Sequence, residues 1–156
     1  MKRALLLLPC VGLLALSSSC GDDTCEPEVG TICTIVGIGE NGYDRGADDT
    51  PIPALEAKMS LPQDTLTADD GTLYILDWNN HRLRVYDEVE GTVAWVAGRG
   101  ELGGSLDDPA NGDFNHPTNI VFGLDGESIV IAAWHNSKIR TINIATRVVS
   151  DACGDG

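Results

Sequence analysis

The sequence predicts an all-β fold built from repeated units of four short antiparallel strands. Residues 62–100 and 117–156 align with each other, and this alignment places Trp78 on Trp134. A shorter third copy, Gly30–Gly39, matches the end of the first unit. Fixed self-similarity of this kind marks an array of equivalent supersecondary units. We therefore expect two complete units and part of a third.

Each full unit contains four stretches with the pattern of a strand. Leu83 and Val85 alternate with charged or aromatic residues, as in a half-buried strand. Leu73–Leu76 is continuously apolar, as in a strand covered on both faces. Asp70-Gly71 supplies a tight turn between the first two strands. The predicted strands are Asp64–Ala68, Leu73–Asp77, Arg82–Tyr86 and Val93–Ala97, then Thr118–Phe122, Ile129–Ala132, Lys138–Ile142 and Val148–Cys153.

Repeated four-stranded antiparallel units are the pattern of β-propeller blades. The sequence contains about two blades, residues 62–100 and 117–156. An orphan strand, Thr31–Val36 within residues 30–39, aligns with the fourth strand of a unit. Because propellers need about four to eight blades to close, we interpret the chain as the front part of a longer, truncated propeller. The alternatives are self-association into a ring and an open two-blade piece with unpaired edges.

The first unit carries a specific family resemblance. Its stretch LYILDWNNHRLRVYD, followed by GTVAWVAGRG, resembles the NHL-repeat family. In that family a hydrophobic strand precedes Asp, two residues, Asn, His or Ser, Arg or Lys, Ile or Leu, and Arg. The second unit keeps Asn136 and Arg140 but has Ala133 where Asp77 stood. The resemblance covers residues 30–156 and implies an incomplete propeller of the bacterial extracytoplasmic type, which binds partners rather than catalysing a reaction.

The N-terminal segment, residues 1–19, has the order of a secretory signal peptide. A short basic start and an apolar run too short to span a membrane precede small residues and Cys20. The stretch LSSSC resembles a bacterial lipoprotein signal, so we expect lipidation of Cys20, followed by an acidic linker over residues 20–29. Simple secretion after cleavage at a serine is the alternative. The predicted location is the bacterial cell envelope, membrane-anchored or secreted.

Charge limits the class of partner. The formal net charge is −14, and an acidic chain repels phosphate backbones, so no nucleic acid is expected. The acidic residues are spread over several loops, as on a solvated surface. An unidentified basic protein or cell-envelope component is the expected partner, with the membrane reached through the lipid anchor.

The cysteines predict at most one intrachain disulfide. Cys10 leaves with the signal and Cys20 carries the lipid, which leaves Cys25, Cys33 and Cys153. Cys25 and Cys33 are the candidate pair, with one thiol left over. The cysteine spacings match no zinc pattern.

Two of the three tryptophans, Trp78 and Trp134, share one repeat position. They would either anchor a partner or cover the gap to the next blade, and the usual burial of Trp favours packing. The longest connections, residues 40–60 and 101–116, are where recognition is expected to concentrate. Further candidate contacts in these loops are Tyr43, Arg45 and Phe114.

No catalytic residue, metal site or cofactor is predicted. The sequence has no GxSxG elbow and no phosphate-binding P-loop. Some related propellers hold a metal in the central channel with histidines from several blades, but His81, His116 and His135 occupy non-equivalent repeat positions. We expect a binding scaffold. The alternative is a fragment of a propeller lyase or hydrolase with a metal in the channel.

Overall fold

The computed structural model describes residues 25, 28–43, 50–107 and 112–155 of the 156-residue chain. It divides into two compact units, residues 1–33 and residues 34–156. In the first unit, Cys25 and Cys33 form a disulfide with their Cα atoms 5.6 Å apart. No helix in the described part of the chain is long and apolar enough to cross a membrane. The predicted signal peptide and Cys20 lie outside the described residues.

The second unit contains two antiparallel sheets, joined by the long connection between Ala97 and Pro117, which confirms the all-β prediction. The first sheet has the order β1-β5-β4-β3-β2 and the second the order β6-β7-β8-β9. The strands are β1 (Ile52–Pro53), β2 (Pro62–Thr67), β3 (Leu73–Asp77), β4 (Arg82–Asp87), β5 (Thr92–Ala97), β6 (Pro117–Phe122), β7 (Ser128–Ala133), β8 (Lys138–Asn143) and β9 (Val149–Cys153). Single 3₁₀ turns cover Ala54–Glu56, Trp78–Asn80 and Trp134–Asn136. The eight strands of the two blades lie close to their predicted bounds.

The turn between the first two strands of each sheet is built on aspartate and glycine. In the first sheet Gly71 has a φ of +91° and the Thr72 N–H donates to the Asp70 carboxylate at 2.9 Å. In the second sheet the N–H groups of Glu127 and Ser128 both donate to the Asp125 carboxylate at 3.0 Å. Glu127 lies in this turn, so the extra residue of the second blade falls outside both flanking strands.

The sheets also share their irregularities. Both have a register shift near the start of the first strand, at Pro62/Asp64 and at Pro117/Asn119. A register shift follows at the start of the third strand in each sheet, at Leu83/Arg84 and at Ile139/Arg140. Bulges re-aim side chains and raise local twist. Their repetition shows that the two sheets are copies of one blade.

The hydrophobic core lies between the two blades. The first strand of one blade runs beside the first strand of the other, and the Asp64 carboxylate on β2 accepts the Ile120 N–H of β6 at 2.9 Å. Buried residues from both sheets and from the connection between them fill the gap. They include Leu76, Leu83, Val96, Phe114, Ile120, Ile129, Ile131 and Ile142.

The orphan strand expected at Thr31–Val36 is not formed. A strand needs a partner for its backbone groups, and the third strands, beside which a fourth strand lies, are already paired: β4 with β5 and β8 with β9. The chain just after the expected strand is held instead by two loop hydrogen bonds. The Gly37 N–H donates to the Ala54 carbonyl at 2.8 Å, and the Ile38 N–H to the Ala57 carbonyl at 3.1 Å.

Candidate functional site

A row of aromatic rings crosses the junction of the two blades, at the end where the second strand of each turns into the third. The Trp78 ring lies against His116 with centroids 4.5 Å apart. His116 also contacts His81 at 4.6 Å and His135 at 4.8 Å. The row ends with Trp134, whose ring centroid is 4.1 Å from that of His135. We call these five residues the aromatic row.

Repeated backbone geometry places the row. In each blade a 3₁₀ turn begins at the tryptophan and is followed by a left-handed residue, His81 (φ +52°) or Ser137 (φ +54°). His116 is itself left-handed, with a φ of +48°, and leads into β6. Its N–H donates to His81 Nδ1 at 3.2 Å. This bond ties the start of the second blade to the end of the first.

Burial keeps the inner rings of the row neutral. His81 is 6% exposed, and burial, with a smaller contribution from His116, lowers its pKa to about 4. The pKa of His116 is also lowered, mainly by burial and then by His135. Loss of hydration disfavours the imidazolium form in both cases. Both rings are therefore uncharged at pH 7, and His81 Nδ1 is free to accept the backbone N–H.

The structure brings the three histidines together although they come from non-equivalent repeat positions. Their contacts are edge-to-face, with interplanar angles of 89° between His81 and His116 and 68° between His116 and His135. Within the described residues, no group of three or more His, Cys, Asp or Glu side chains is arranged to hold a metal ion. What the arrangement offers chemically is a surface of contacting rings with two tryptophans at its ends.

A buried polar network supports the row in the first blade. Asp77 is completely buried, pairs with Arg84 at 2.8 Å, and accepts the Ser60 N–H at 2.8 Å. Burial raises the pKa of Asp77, and Arg84 opposes that rise. Asn80 Nδ2 donates to the Asp77 carboxylate at 2.8 Å and to the Gly42 carbonyl at 2.9 Å. The network thus fastens the connection before the blade onto the turn that carries Trp78.

In the second blade, the preceding connection is held to the 3₁₀ turn in the same way, but without the aspartate. Asn136 Oδ1 accepts the Asn115 N–H at 2.9 Å, and its Nδ2 donates to the Gly103 carbonyl at 2.7 Å. Arg140, 0% exposed, pairs with Asp151 on β9 at 2.8 Å. Sequence reasoning missed Asp151. Its role could have been inferred from its cross-strand position. Asp151 lies opposite Arg140, whereas the first blade has Trp95 opposite Arg84.

The candidate contacts named from the sequence have different environments. Trp78 is half-buried under His116, while Trp134 is 58% exposed. Tyr43 is half-buried, with the Arg82 guanidinium 4.4 Å from its ring centroid. Phe114 is 0% exposed, so the expectation that it lies on the surface was wrong. Its ring is buried in the apolar gap between the blades. Arg45 lies outside the described residues.

Comparison with known proteins agrees with the repeat pattern. No protein-family model matches the chain. NHL repeat-containing protein 2 of Bos taurus is 29% identical over 82 residues, which are 50% of this chain and 11% of that protein. Its Homo sapiens counterpart is 28% identical over 79 residues, again 50% and 11% of the two chains.

A solved structure shares the architecture. The crystal structure of a protein of unknown function from Bacteroides thetaiotaomicron superposes with a TM-score of 0.51 and 25% sequence identity, over 67% of this chain and 25% of that one. The chain thus spans 11% of the length of the curated relatives above and a quarter of this structure. With its two copies of one four-stranded blade, the chain forms about two blades of a β-propeller, and its repeats are similar to those of NHL repeat-containing proteins.

Proposed function

We propose that the chain is part of an extracytoplasmic binding scaffold and that the aromatic row is a contact surface for its partner. One observation carries the proposal. Trp134 is 58% exposed and His135 is exposed beside it, at the end of a row of rings anchored in both blades. Large aromatic side chains held on a rigid scaffold are typical anchors of binding interfaces.

The chemistry of this surface favours a basic partner. The inner rings of the row are neutral at pH 7, and the chain as a whole has a formal net charge of −14. The face of a tryptophan attracts an ammonium or guanidinium group, and the surrounding negative charge raises the rate of encounter with a cationic surface. A basic protein or a cationic cell-envelope component fits both properties.

Capture of partners from an envelope extract tests this proposal. We expect Trp134→Ala and His135→Ala each to reduce the recovered partner, because each removes a ring from the exposed end of the row. Leu124→Ala is the matched control, since Leu124 is an exposed apolar residue in the turn at the far end of the same blade. Equal recovery by the wild type and both ring variants would refute the row as the contact surface.

Replacing the whole connections 40–60 and 101–116 would be a poorer test of partner binding. Asn80 holds the first connection at Gly42 and Asn136 holds the second at Gly103, while Phe114 is part of the core. A short glycine-serine link would therefore disturb the blades themselves. Single changes in the row avoid this loss of packing.

Export and anchoring form a second part of the proposal. Cys20 follows a basic start, an apolar run and small residues, so we propose that it is lipidated and that the scaffold is held at a membrane surface. Cys20→Ser is expected to release the protein from the membrane fraction or to block its maturation. Unchanged detergent partition of the Cys20→Ser protein relative to wild type would contradict the lipid anchor.

A further inference from the structure

The first blade has a groove at the end opposite the aromatic row. The groove has a volume of about 410 Å³ and lies between the β2–β3 turn and the β4–β5 turn. The aromatic row, by contrast, lies where the second strand of each blade turns into the third. The groove is therefore a separate surface, and the residues that line it include Asp70, Thr72, Val85, Asp87, Glu88 and Ala94.

The floor of the groove is apolar. Val85 lies opposite Ala94 in the β4–β5 pair, and both residues are half-buried. Val85 also packs against the core between the blades, so this face of the first sheet is turned toward the second blade. Because the chain contains both blades that border this face, the groove is not a gap left by an absent blade.

The rim of the groove is acidic. Asp70 belongs to the β2–β3 turn, and Asp87 and Glu88 belong to the β4–β5 turn. The Asp87 carboxylate is held in place by two backbone N–H groups of its own turn, at 2.9 and 3.0 Å. Hydrogen bonds from Thr72, first from its backbone N–H, lower the pKa of Asp70, so this group is ionised at pH 7. Among the described residues, none of the three carboxylates pairs with a cation.

The second blade shows that the fold does not need this charge. Asn143 stands at the position of Asp87 and fixes the equivalent turn, because its Oδ1 accepts the Thr146 N–H at 2.8 Å. Ile144 stands at the position of Glu88. Neutral side chains therefore make the same turn, and the two carboxylates of the first blade are left without a structural role.

The floor also differs between the blades, in the opposite sense. Thr141 stands at the position of Val85, and Ser150, its cross-strand partner, stands at the position of Ala94. The first blade thus combines an apolar floor with three rim carboxylates, whereas the second combines a polar floor with one, Asp125. An occupant of the first blade's groove that has both an apolar part and a cationic part accounts for both differences.

A lysine or arginine side chain has these two parts. Such side chains lay their methylene stems along apolar surface and keep the charged head in a polar environment. A metal ion would make no use of the apolar floor, and no group of three or more His, Cys, Asp or Glu in the described part of the chain is arranged to hold one. A phosphate backbone would be repelled by the rim.

We propose that this groove is a second contact site of the scaffold and that it takes a lysine or arginine side chain of a basic protein. In the complex the methylene stem lies on Val85 and Ala94, and the cationic head lies at the rim beside Asp87 and Glu88. The site uses no residue of the aromatic row, so it goes beyond the function proposed for that row.

Binding of a fluorescently labelled hexalysine peptide tests this site. The full chain is kept in a mild detergent, so that its apolar N-terminal run does not associate, and binding is followed by fluorescence anisotropy at physiological salt. Asp87→Asn and Glu88→Gln should each weaken binding about two- to fivefold, because each removes one exposed ion pair. Val85→Thr, which copies the floor of the second blade, should weaken it about threefold, because a hydroxyl replaces a methyl group under the stem.

Glu101→Gln is the matched control, since it removes one exposed negative charge beyond β5, at the other end of the blade. Circular dichroism of every variant verifies that the blades remain folded. Equal affinities of the wild type and the Asp87 and Glu88 variants, or no binding by the wild type, would overturn the proposal. Equal weakening by Glu101→Gln would assign binding to net charge alone and would also overturn it.

The Val85→Thr variant separates a side chain from a bare cation. If the two charge variants weaken binding and Val85→Thr does not, the occupant does not use the floor, and the proposed lysine or arginine site is wrong. Partner capture through His135 is measured separately with envelope extract, so failure of one proposal leaves the other intact.

Discussion

Acidification is expected to weaken the junction between the blades through His81. The folded protein holds this ring neutral, with its pKa lowered from 6.5 to about 4 by burial and then by His116. Between these two pH values the unfolded chain binds more protons at His81 than the folded chain does. The free energy of unfolding therefore falls as the pH is lowered from about 7 to 4, and it is restored as the pH rises again.

The size of the effect follows from the difference between the two pKa values. Each pKa unit is worth about 1.4 kcal/mol, so the contribution of His81 to this loss is about 3 kcal/mol. That is a large part of the stability of a small domain, which is about 5–15 kcal/mol. The pKa of His116 is lowered in the same direction and adds to the loss.

Urea unfolding at a series of pH values, followed by tryptophan fluorescence, measures this contribution. His81→Asn removes the titrating group while keeping a side chain that accepts a hydrogen bond and tolerates the left-handed backbone at φ +52°. We expect the variant to lose about 3 kcal/mol less than the wild type between pH 7 and pH 4. The carboxylates titrate in both proteins, so their contributions cancel in the difference.

His135→Asn serves as the control for removing a histidine from the row, because His135 is exposed. If the unfolding free energies of His81→Asn and wild type fall in parallel from pH 7 to pH 4, the buried ring does not control the acid sensitivity. The same result would remove the argument that the inner rings of the row are neutral because they are buried.

Three further outcomes are expected. Phe114→Ala should lower the free energy of unfolding by about 3–5 kcal/mol, against less than about 0.5 kcal/mol for the exposed Leu124→Ala, and similar small losses for both would contradict the filled gap. Asp151→Ala should lower the free energy of unfolding by about 2 kcal/mol, because it leaves Arg140 buried without a carboxylate, and adding Ala133→Asp should restore part of this loss. Urea unfolding that shows no such rescue would contradict the equivalence of the two positions. Elemental analysis should find well below one metal equivalent, and stoichiometric zinc or calcium lost on changing His81 or His135 would favour the enzyme alternative.

The strands and turns could be predicted from the sequence because their causes are local. Alternation at Leu83 and Val85 and the aspartate-glycine turn at residues 70–71 act over a few residues, and the repeat supplies a second, independent copy of each. The orphan strand failed for the opposite reason. Its residues have a strand pattern, but a fourth strand pairs with a third strand elsewhere in the fold, and the third strands β4 and β8 are already paired with β5 and β9.

The candidate site was harder to predict because it is assembled across the blade junction. His81 comes from a turn of the first blade, while His116 comes from the loop before the second, so repeat alignment alone suggests that they are unrelated. They meet because the loop folds back over the first blade. Phe114 was placed on the surface for the same reason. Its alignment with Met59, another large apolar residue at the same offset before a proline, is the signal that could have revealed its burial.

The second blade has Ala133 where the first has Asp77, and this difference illustrates how a repeat keeps its structure while its sequence changes. A buried arginine in each blade needs a carboxylate, because an unpaired charge in the interior is strongly unfavourable. The first blade supplies it from β3 through Asp77, and the second supplies it from β9 through Asp151. The second blade also replaces the hydrogen bond that Asp77 accepts from the Ser60 N–H. There, Asn136 accepts the corresponding N–H of Asn115. Each blade must therefore satisfy a fixed set of charges and donors, whichever strand provides the partner.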